Sequence, residues 1–507
     1  MPGIERLAER YDLIVVGGGI TGAGILREAV RTGARVLLVE QGDFASGTSA
    51  GSSKLVHGGL RYLKEGHWRL TLESVRERER LLLDAPGLVE AQPFLMPLYH
   101  GMKPGPAVMR IGLAVYDLMA GRRTSGWLGT ADLRAELPQL RSEGLRGAVS
   151  YEDARTDDTR LVLRLIFEAI ADGAAALNYT RAELLQQGER VTGLRLRDVD
   201  SGVEREIGAG MVISASGCWA AGLPGAPRLR PLRGSHFVFP AQKLPIRQAV
   251  SWLHPRDRRP IFAYPWEGAV LYGTTDLDHD GSLDQPRMSE AESEYLIDGL
   301  SHQFPALGLQ AHDALSVYAG VRPIVDDGAP GDPSAASRES AMWSAPGLVG
   351  ITGGKLTTFR VTARQALAAA AKQQPQLAPA AAASLFAASA GGGNVRLQGR
   401  LGPAAVARIA ADFAAEACEP VGGTPFTWGE LRWSLRQERV RHLADLLLRR
   451  TRLGLLLPQG GEAQLLRIGA LCRAELGWDE ARWQAERDAY REHWRRQHAP
   501  PDGSGHD

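Results

Sequence analysis

The chain has 507 residues, of which 44% are hydrophobic and 23% charged, so it has the composition of a globular protein with two or three domains. The formal net charge of +1 at pH 7 gives no overall field that would attract nucleic acid, and any electrostatic specificity must be local. No stretch of about 18 uninterrupted apolar residues occurs in the sequence, which argues against a transmembrane helix.

Cysteine usage and the amino terminus indicate a cytoplasmic protein. Cys218, Cys418 and Cys472 form no CxxC pair and have no histidine cluster nearby, so neither disulfides nor a bound metal ion is expected. The first residues, MPGIERLAERYDLIVV, carry charges and lack the apolar core of a signal peptide.

The first 40 residues predict a strand, a tight turn, a helix and a second strand. Residues 11–16 (YDLIVV) are a β-branched run suited to a buried parallel strand, and residues 22–32 have helical spacing with apolar side chains on one side. The second strand is predicted over residues 35–39 and ends at Glu40. Such a unit is typical of the start of a nucleotide-binding α/β domain.

Two more α/β pieces are predicted later in the chain. Residues 161–217 end in a buried strand, MVISASG. Residues 348–352 form a strand that turns at Gly353 and Gly354 into a helix reaching Ala371.

The rest of the chain predicts an inserted sheet and a helical tail. Residues 228–344 contain alternating polar and apolar runs, with Glu267 and Gly268 as a hairpin turn, which indicates an antiparallel sheet. Residues 372–394 are rich in Ala, Gln, Pro and Gly, as linkers are. Residues 395–498 are predicted to be all-helical.

A glycine-rich turn joins the first strand to the helix and has the G-x-G-x-x-G spacing of a dinucleotide site. Gly17 permits the tight turn, Gly19 lets the backbone approach a pyrophosphate, and Gly22 lets the helix pack closely on the strand. The helix N-terminus offers N–H groups to phosphates, and Glu40 is placed to bind ribose hydroxyls. The predicted cofactor contacts here are Gly17, Gly18, Gly19, Ile20, Thr21, Gly22 and Glu40.

The next segment, GTSAGSSKLVHGGLRY over residues 47–62, is rich in small and hydroxyl side chains. Hydroxyls and backbone N–H groups at close approach suit a pyrophosphate and the edge of a flavin, which favours FAD over NAD. The predicted cofactor contacts in this segment are Thr48, Ser49, Ser52, Ser53, Lys54, Leu55 and His57.

With these motifs the chain resembles the FAD-dependent glycerol-3-phosphate dehydrogenases, which belong to the D-amino-acid-oxidase-like flavoprotein superfamily. The resemblance spans about residues 10 to 370, and the helical tail also looks like that family's C-terminal domain. The matching stretches occur in the family's order: DLIVVGGGITGAGI, TSAGSSKLVHGGLRYL, RIGLAVYDLMAGRR, DDTRLVL, RGSHFVFP, YPWEGAVLYGTTD, YAGVRPIVDD and GGKLTTFR.

The resemblance implies an α/β fold in which a Rossmann-like FAD-binding domain carries an inserted antiparallel-sheet substrate domain and a C-terminal all-α domain. The predicted division is a discontinuous FAD-binding domain (1–84, 146–227 and 345–371), a substrate-binding cap (85–145 and 228–344), a linker (372–394), a helical domain (395–498) and a disordered tail (499–507).

The resemblance also implies a reaction: oxidation of sn-glycerol 3-phosphate to dihydroxyacetone phosphate, with hydride transfer from substrate C2 to N5 of FAD and electrons passed to the quinone pool. A helix N-terminus after the second glycine pair would stabilise negative charge on the flavin. The further flavin contacts predicted are Gly217, Trp219, Gly353, Gly354, Lys355, Leu356 and Thr357.

A phosphate dianion requires donors that stay charged, and guanidinium forks match its oxygens. By resemblance, the substrate contacts are Arg61, Tyr62, His236, Arg322, Arg338 and Lys355, and the catalytic residues are His57, Arg61, His236, Arg322 and Lys355. Arg338, in a loop, is also compatible with a solvated charge. Arginine is a poor base, so His57, His236 and Lys355 are three open alternatives for the proton acceptor.

Two segments bear on membrane and partner contact. Residues 107–120 (AVMRIGLAVYDLMA) are mostly apolar with basic flanks, which fits either a helix in a membrane interface or a core helix. Trp483, Tyr490 and Trp494 form an aromatic stripe that is more typical of an intramolecular or homodimer seam than of a membrane anchor. Peripheral contact with the inner face of the cytoplasmic membrane is therefore an alternative to a purely cytoplasmic location.

Three other functions are open at this point. An oxidase acting on the same substrate would pass electrons to oxygen and form peroxide. An amine or amino-acid oxidoreductase of the same superfamily would use one arginine for a carboxylate instead of a basic cluster for a phosphate. A non-catalytic flavin-bound scaffold is disfavoured, because buried charges are costly without an anionic ligand.

Overall fold

The computed structural model describes residues 3–60, 66–326, 340–388 and 392–501. Its strands in chain order are β1 (Arg10–Val16), β2 (Val36–Val39), β3 (Leu55–Val56), β4 (Val89–Tyr99), β5 (Gly126–Leu128), β6 (Leu145–Thr156), β7 (Ala175–Leu177), β8 (Thr180–Gln187), β9 (Arg190–Asp198), β10 (Glu204–Ser214), β11 (Leu229–Pro240), β12 (Ala249–Leu253), β13 (Pro260–Trp266), β14 (Ala269–Gly273), β15 (Leu277–Asp278), β16 (Ser316–Val325), β17 (Ser340–Ala345) and β18 (Leu348–Gly353). Its helices are α1 (Ile20–Val30), α2 (Trp68–Asp84), α3 (Pro106–Ala120), α4 (Thr130–Glu136), α5 (Asp158–Ala171), α6 (Glu290–Gln303), α7 (Phe359–Ala371), α8 (Val395–Leu401), α9 (Pro403–Asp412), α10 (Trp428–Gln437), α11 (Leu443–Asp445), α12 (Leu453–Leu456), α13 (Leu465–Leu476) and α14 (Glu480–Gln497).

A largely parallel sheet forms the first part of the fold, with strand order β17-β18-β10-β1-β2-β7. The five strands from β18 to β7 run parallel, whereas β17 and the β8–β9 pair are antiparallel extensions. The strands predicted over residues 11–16 and 35–39 are β1 and β2, and the helix predicted between them is α1. The α/β class and the Rossmann-like unit are therefore confirmed.

Alternating side chains of β1 cover both faces of this sheet, as expected of a buried strand. Leu13 and Val15 pack in the core formed with α1, α5 and α7, while Ile14 packs in the core beneath β8 and β9. The helices approach closely: a Cβ at Gly24 of α1 would come within 2.7 Å of the Phe359 ring of α7.

The second sheet has ten strands in the order β15-β11-β14-β13-β12-β4-β6-β3, with β16 paired to β11 and β5 to β6. It is antiparallel apart from the pairing of β12 with β4. Glu267 and Gly268 form the predicted hairpin turn, with φ angles of 49° and 86°, the left-handed values that such a two-residue turn requires.

The C-terminal helices α10 to α14 pack in one core with the second sheet, whereas α8 packs against α5, and the predicted helical tail is confirmed. Leu446 and Trp483 are buried in one core with Tyr264 of β13. Tyr490 is also buried, and the Trp494 Nε1 donates to the Gly454 carbonyl at 2.6 Å. The aromatic stripe of α14 is thus an intramolecular seam, and a homodimer stays a prediction.

The predicted linker and domain boundaries differ from the observed packing. Leu377 and Leu385 in the described part of the linker are buried, and Arg27 of α1 donates to the Leu385 carbonyl at 2.7 Å. Residues from 146 onward were predicted in the FAD-binding domain, but β6 belongs to the second sheet. β17 was predicted in the cap, but it belongs to the first sheet. The predicted tail lies outside the described residues from 502 onward.

Candidate active site

The predicted cofactor segments meet at the carboxyl edge of the parallel sheet. The glycine-rich turn follows β1, Glu40 follows β2, residues 217–219 follow β10 and residues 353–357 follow β18. Since these four strands run parallel as neighbours, their carboxyl ends lie at one edge. In open α/β sheets this edge is where ligands bind.

The glycine-rich turn has the geometry of an anion site. Gly17 has a φ of 111°, and Gly19 is the N-cap of α1, so no side chain at the N-cap satisfies the helix N–H groups. Ser49 reaches over from the following segment and accepts a hydrogen bond from the Ile20 N–H at 2.9 Å. The next N–H groups of the first turn have no intrahelical acceptor and can bind phosphate oxygens.

Glu40 is fixed beside this turn at the end of β2. Its carboxylate accepts hydrogen bonds from the Gly18 N–H at 2.6 Å and the Gly42 N–H at 2.8 Å. Burial raises the pKa of Glu40, and these two backbone donors oppose the increase. The carboxylate therefore has a set orientation in which it can also accept a ribose hydroxyl.

The segment predicted to face the flavin is anchored to two other parts of the fold. Thr48 Oγ1 donates to the Val321 carbonyl of β16 at 2.5 Å, and Ser52 Oγ donates to Asp158 Oδ2 of α5 at 2.7 Å. Lys54 is fully buried, with Nζ 3.0 Å from both Asp158 carboxylate oxygens, and burial lowers its pKa to about 8. Asp158 binds both the Ser52 hydroxyl and the Lys54 ammonium, and the cofactor contacts of Ser52 and Lys54 stay a prediction.

His236 of β11 lies against this segment. Its ring is fully buried and stacked on Tyr318 at 4.7 Å between centroids, and its Nε2 lies 2.9 Å from Ser53 Oγ. Burial, and then the positive charges of Arg322 and Lys54, hold the pKa of His236 well below its usual value. The lowered pKa favours the neutral form of the ring.

Arg322 of β16 is held in place by Asp276. Its Nη1 lies 2.6 Å from Asp276 Oδ1, while Arg259 Nη2 lies 2.6 Å from Oδ2. The Arg322 guanidinium rests over Gly234, where a Cβ would come within 2.5 Å of Nη2. The Arg322 side chain is 20% exposed, and Asp276 fixes the orientation of its guanidinium.

Arg259 is a charged neighbour of the site that the sequence did not reveal. It follows the run Asp257-Arg258 in a loop before β13 and looks there like a solvated charge. Its contact with Asp276 joins residues far apart in the chain, and no local pattern predicts it.

The turn after β18 connects three of the predicted segments. Thr352 Oγ1 donates to the Gly217 carbonyl at 2.9 Å. Thr357 Oγ1 accepts from the His57 N–H at 3.2 Å and donates to the His57 carbonyl at 3.3 Å. The half-buried Lys355 lies between these two anchor points.

The helix predicted to begin at the Gly353-Gly354 pair begins instead at Phe359. Gly353 and Gly354 have φ angles of 76° and 86°, which no right-handed helix contains. Thr357 therefore precedes the helix and serves the turn. Three predicted substrate contacts, Arg61, Tyr62 and Arg338, lie outside the described residues.

Comparison with known proteins agrees with this arrangement. Residues 12–370 match the family of FAD-dependent oxidoreductases, and residues 404–483 match the C-terminal domain of alpha-glycerophosphate oxidase. The aerobic glycerol-3-phosphate dehydrogenase of Staphylococcus haemolyticus is 36% identical over 381 residues, which cover 73% of this chain and 68% of that relative. This chain belongs to the FAD-dependent glycerol-3-phosphate dehydrogenases. The predicted family and the predicted cofactor, FAD, are confirmed.

Solved structures share the fold of this chain. The glycerol-3-phosphate dehydrogenase from Bacillus halodurans, complexed with FAD, has a TM-score of 0.77 and 26% identity and covers 97% of this chain and 96% of its own. The L-alpha-glycerophosphate oxidase from Mycoplasma pneumoniae, with FAD bound, has a TM-score of 0.57 and 18% identity and covers 75% of this chain and 98% of its own. The second likeness concerns the fold alone.

The glycine-rich turn of this chain has the close packing and the open approach that suit a pyrophosphate. A Cβ at Gly22 would lie 1.9 Å from the Gly17 carbonyl oxygen, so this glycine is required for packing of the helix on the turn. A Cβ at Gly19 would meet only Ser49 Oγ, at 3.1 Å, so the approach to the first-turn N–H groups is open on that side. The required close packing and the open approach are the two features that a dinucleotide turn needs.

Proposed function

We propose that this chain oxidises sn-glycerol 3-phosphate to dihydroxyacetone phosphate and passes the electrons to a membrane quinone. The observation that carries this proposal is the Arg322 guanidinium, which Asp276 orients and which is 20% exposed. The residue before it, Val321, binds Thr48 of the flavin-facing segment, so the guanidinium belongs to the strand that borders the cofactor site. The names of the family's relatives agree with this substrate.

Each proposed role follows from the charge state of the side chain. The glycine-rich turn and Glu40 would hold FAD, whose chemistry would supply the acceptor for a hydride from substrate C2. Arg322 binds phosphate oxygens through a charge-assisted fork, and Lys355 adds a second positive charge beside the turn after β18. His57, His236 and Lys355 are the three proposed acceptors of the C2 hydroxyl proton, and the Ser53 hydroxyl connects the enclosed His236 ring to the segment that faces the flavin. The proposed substrate contacts by resemblance are Arg61, Tyr62 and Arg338.

Product analysis with two acceptors tests this proposal. Purified protein with bound FAD is incubated with glycerol 3-phosphate and a soluble quinone without oxygen, and dihydroxyacetone phosphate and quinol are quantified. The proposal expects equal amounts of both products. A protein that is inactive with quinone but forms peroxide in air is an oxidase, a second candidate that the match to the C-terminal domain of alpha-glycerophosphate oxidase favours.

Helix α3 supports peripheral contact with a membrane. Val108, Ile111 and Leu118 are 61%, 67% and 82% exposed, whereas Leu113 and Tyr116 on the other face are buried, so only one face of α3 packs in the core. The exposed Arg110 lies beside them, and the acidic Asp117 of this helix is buried. Among the described residues no helix is long and apolar enough to cross a bilayer. We propose that the exposed apolar face of α3 lies among acyl chains at a membrane interface, with its cations at anionic headgroups.

Vesicle flotation tests this assignment. The double variant Ile111→Glu, Leu118→Glu is expected to lose most binding to vesicles that contain anionic lipid, because two carboxylates would enter the apolar interface. Leu466→Glu, which alters an 86% exposed leucine of the C-terminal domain, is the matched control and should bind like the wild type. Equal binding of all three proteins would contradict the assignment.

A further inference from the structure

Four buried charges join the C-terminal helices to the segment that faces the cofactor. Asp157 and Asp158 begin α5, Lys54 belongs to the flavin-facing segment, and Arg452 lies just before α12. Arg452 Nη2 lies 3.0 Å from Asp157 Oδ1 and also donates to Asp158, which in turn pairs with Lys54 at 3.0 Å. All four side chains are 2% exposed or less, so two carboxylates and two cations balance each other away from water.

Asp158 also forms hydrogen bonds with residues 50–55. Its Oδ2 accepts hydrogen bonds from the Ser52 N–H at 3.2 Å and the Ser52 hydroxyl at 2.7 Å. Lys54 also donates to the Ala50 carbonyl at 2.9 Å. Lys54 has a φ of 53°, a left-handed value that a residue with a side chain keeps only where its surroundings impose it.

The backbone held in this way carries active-site groups. Ser53, between the two residues that Asp158 binds, has its hydroxyl 2.9 Å from His236 Nε2. The Tyr318 and Tyr264 hydroxyls donate to the Ser52 and Ser53 carbonyls at 2.9 and 2.7 Å. Residues 50–55 are therefore fixed on one side by the second sheet and on the other by the buried charges.

We infer that Arg452 of the C-terminal helices is a positioning residue for the active site, acting through Asp157 and Asp158 to hold residues 50–55 against FAD and His236. Without Arg452, two buried carboxylates face a single ammonium group, and an uncompensated buried charge draws in water or a proton. Asp158 then no longer holds Ser52 and Lys54 in place. This inference rests on the proposed placement of the flavin beside this segment.

The test compares two buried ion pairs that join the same parts of the chain. Arg452→Met removes the inferred positioning group, and Arg452→Lys restores its charge. Glu438→Gln is the matched control. Glu438 of the C-terminal helices pairs with Arg160 of α5 at 2.7 Å, and both residues are buried. Among the described contacts, neither residue has a hydrogen bond to residues 50–55. For each holoenzyme we would measure the FAD dissociation constant, the limiting rate of anaerobic flavin reduction by glycerol 3-phosphate, and Tm.

Both Arg452→Met and Glu438→Gln are expected to lower Tm, but their effects on the site should differ. Arg452→Met should raise the FAD dissociation constant and lower the limiting reduction rate, each by about 10-fold or more, because small displacements of groups around a reacting centre have effects of this size. Arg452→Lys should recover most of both losses. Glu438→Gln should leave both within about two-fold of wild type.

If Arg452→Met and Glu438→Gln change the two constants equally, Arg452 is only structural and the inference is wrong. If Arg452→Met does not fold, Asp157→Asn takes its place, since asparagine keeps the helix N-cap but loses the charge that holds Arg452; unchanged constants in that variant overturn the inference. If glycerol 3-phosphate does not reduce the flavin of the wild-type protein, the proposed function is wrong. The comparison of FAD dissociation constants between the variants still tests the role of Arg452 in that case.

Discussion

Gly19→Val is expected to abolish FAD binding while the protein remains folded. Gly19 is in an extended conformation at the N-cap of α1, and among the described residues a Cβ there comes within 4 Å of Ser49 Oγ alone. Valine would instead occupy the approach that the pyrophosphate needs to reach the first-turn N–H groups. The measurement is the visible flavin spectrum of the purified protein after incubation with excess FAD, together with far-ultraviolet circular dichroism.

Gly22→Val is the comparison that separates cofactor loss from unfolding. A side chain at Gly22 collides with the Gly17 carbonyl oxygen, so this variant should lose stability as well as FAD. A normal flavin spectrum in Gly19→Val would contradict the proposed role of the turn. Equal loss of helical signal in both variants would show that Gly19 is needed for folding instead.

Arg322→Ala is expected to lower kcat/KM for glycerol 3-phosphate roughly 100-fold or more while FAD stays bound, because charge-assisted bonds to a phosphate are each worth about 1.5–3 kcal/mol. Lys355→Ala should have an effect of similar order if its ammonium also meets the substrate. Steady-state kinetics with a soluble acceptor, and the flavin content of each variant, provide the measurement.

Arg259→Ala is the control for Arg322, because both guanidinium groups bind Asp276. If Arg322 only neutralises Asp276, the two alanine variants should behave alike. If Arg322 binds the phosphate, Arg259→Ala should retain most of the activity that Arg322→Ala loses. Near-normal kinetics in both Arg322→Ala and Lys355→Ala would contradict the proposed substrate site.

The elements that local pattern defines were predictable from the sequence. The β-branched run of β1, the glycine spacing after it and the Glu267-Gly268 hairpin each impose their conformation through adjacent residues, and the structure has all three. The order of the domains was predicted from the family resemblance, because no single motif indicates it. The start of α7 was misplaced because Gly353 and Gly354, which can also precede a helix, adopt left-handed angles here.

The roles that depend on distant partners could not be predicted. Lys54 looked like a cofactor contact, yet its partner Asp158 is 104 positions away in the chain. Arg452 stands in a leucine- and arginine-rich tail with no local sign of its link to Asp157, 295 positions away. Side-chain pairs of this kind depend on how the helices and sheets pack. The spacing of residues in a single sequence therefore does not predict which distant side chains will pair.

The central claim is that a reducible flavin and a phosphate-binding arginine act on one small substrate. Anaerobic mixing of the holoenzyme with glycerol 3-phosphate, followed by flavin absorbance, tests it most directly, with glycerol as the comparison that lacks the phosphate. We expect rapid loss of the oxidised flavin absorbance with glycerol 3-phosphate and little change with glycerol at the same concentration. Unchanged absorbance with glycerol 3-phosphate, or equal loss with both compounds, would contradict the account.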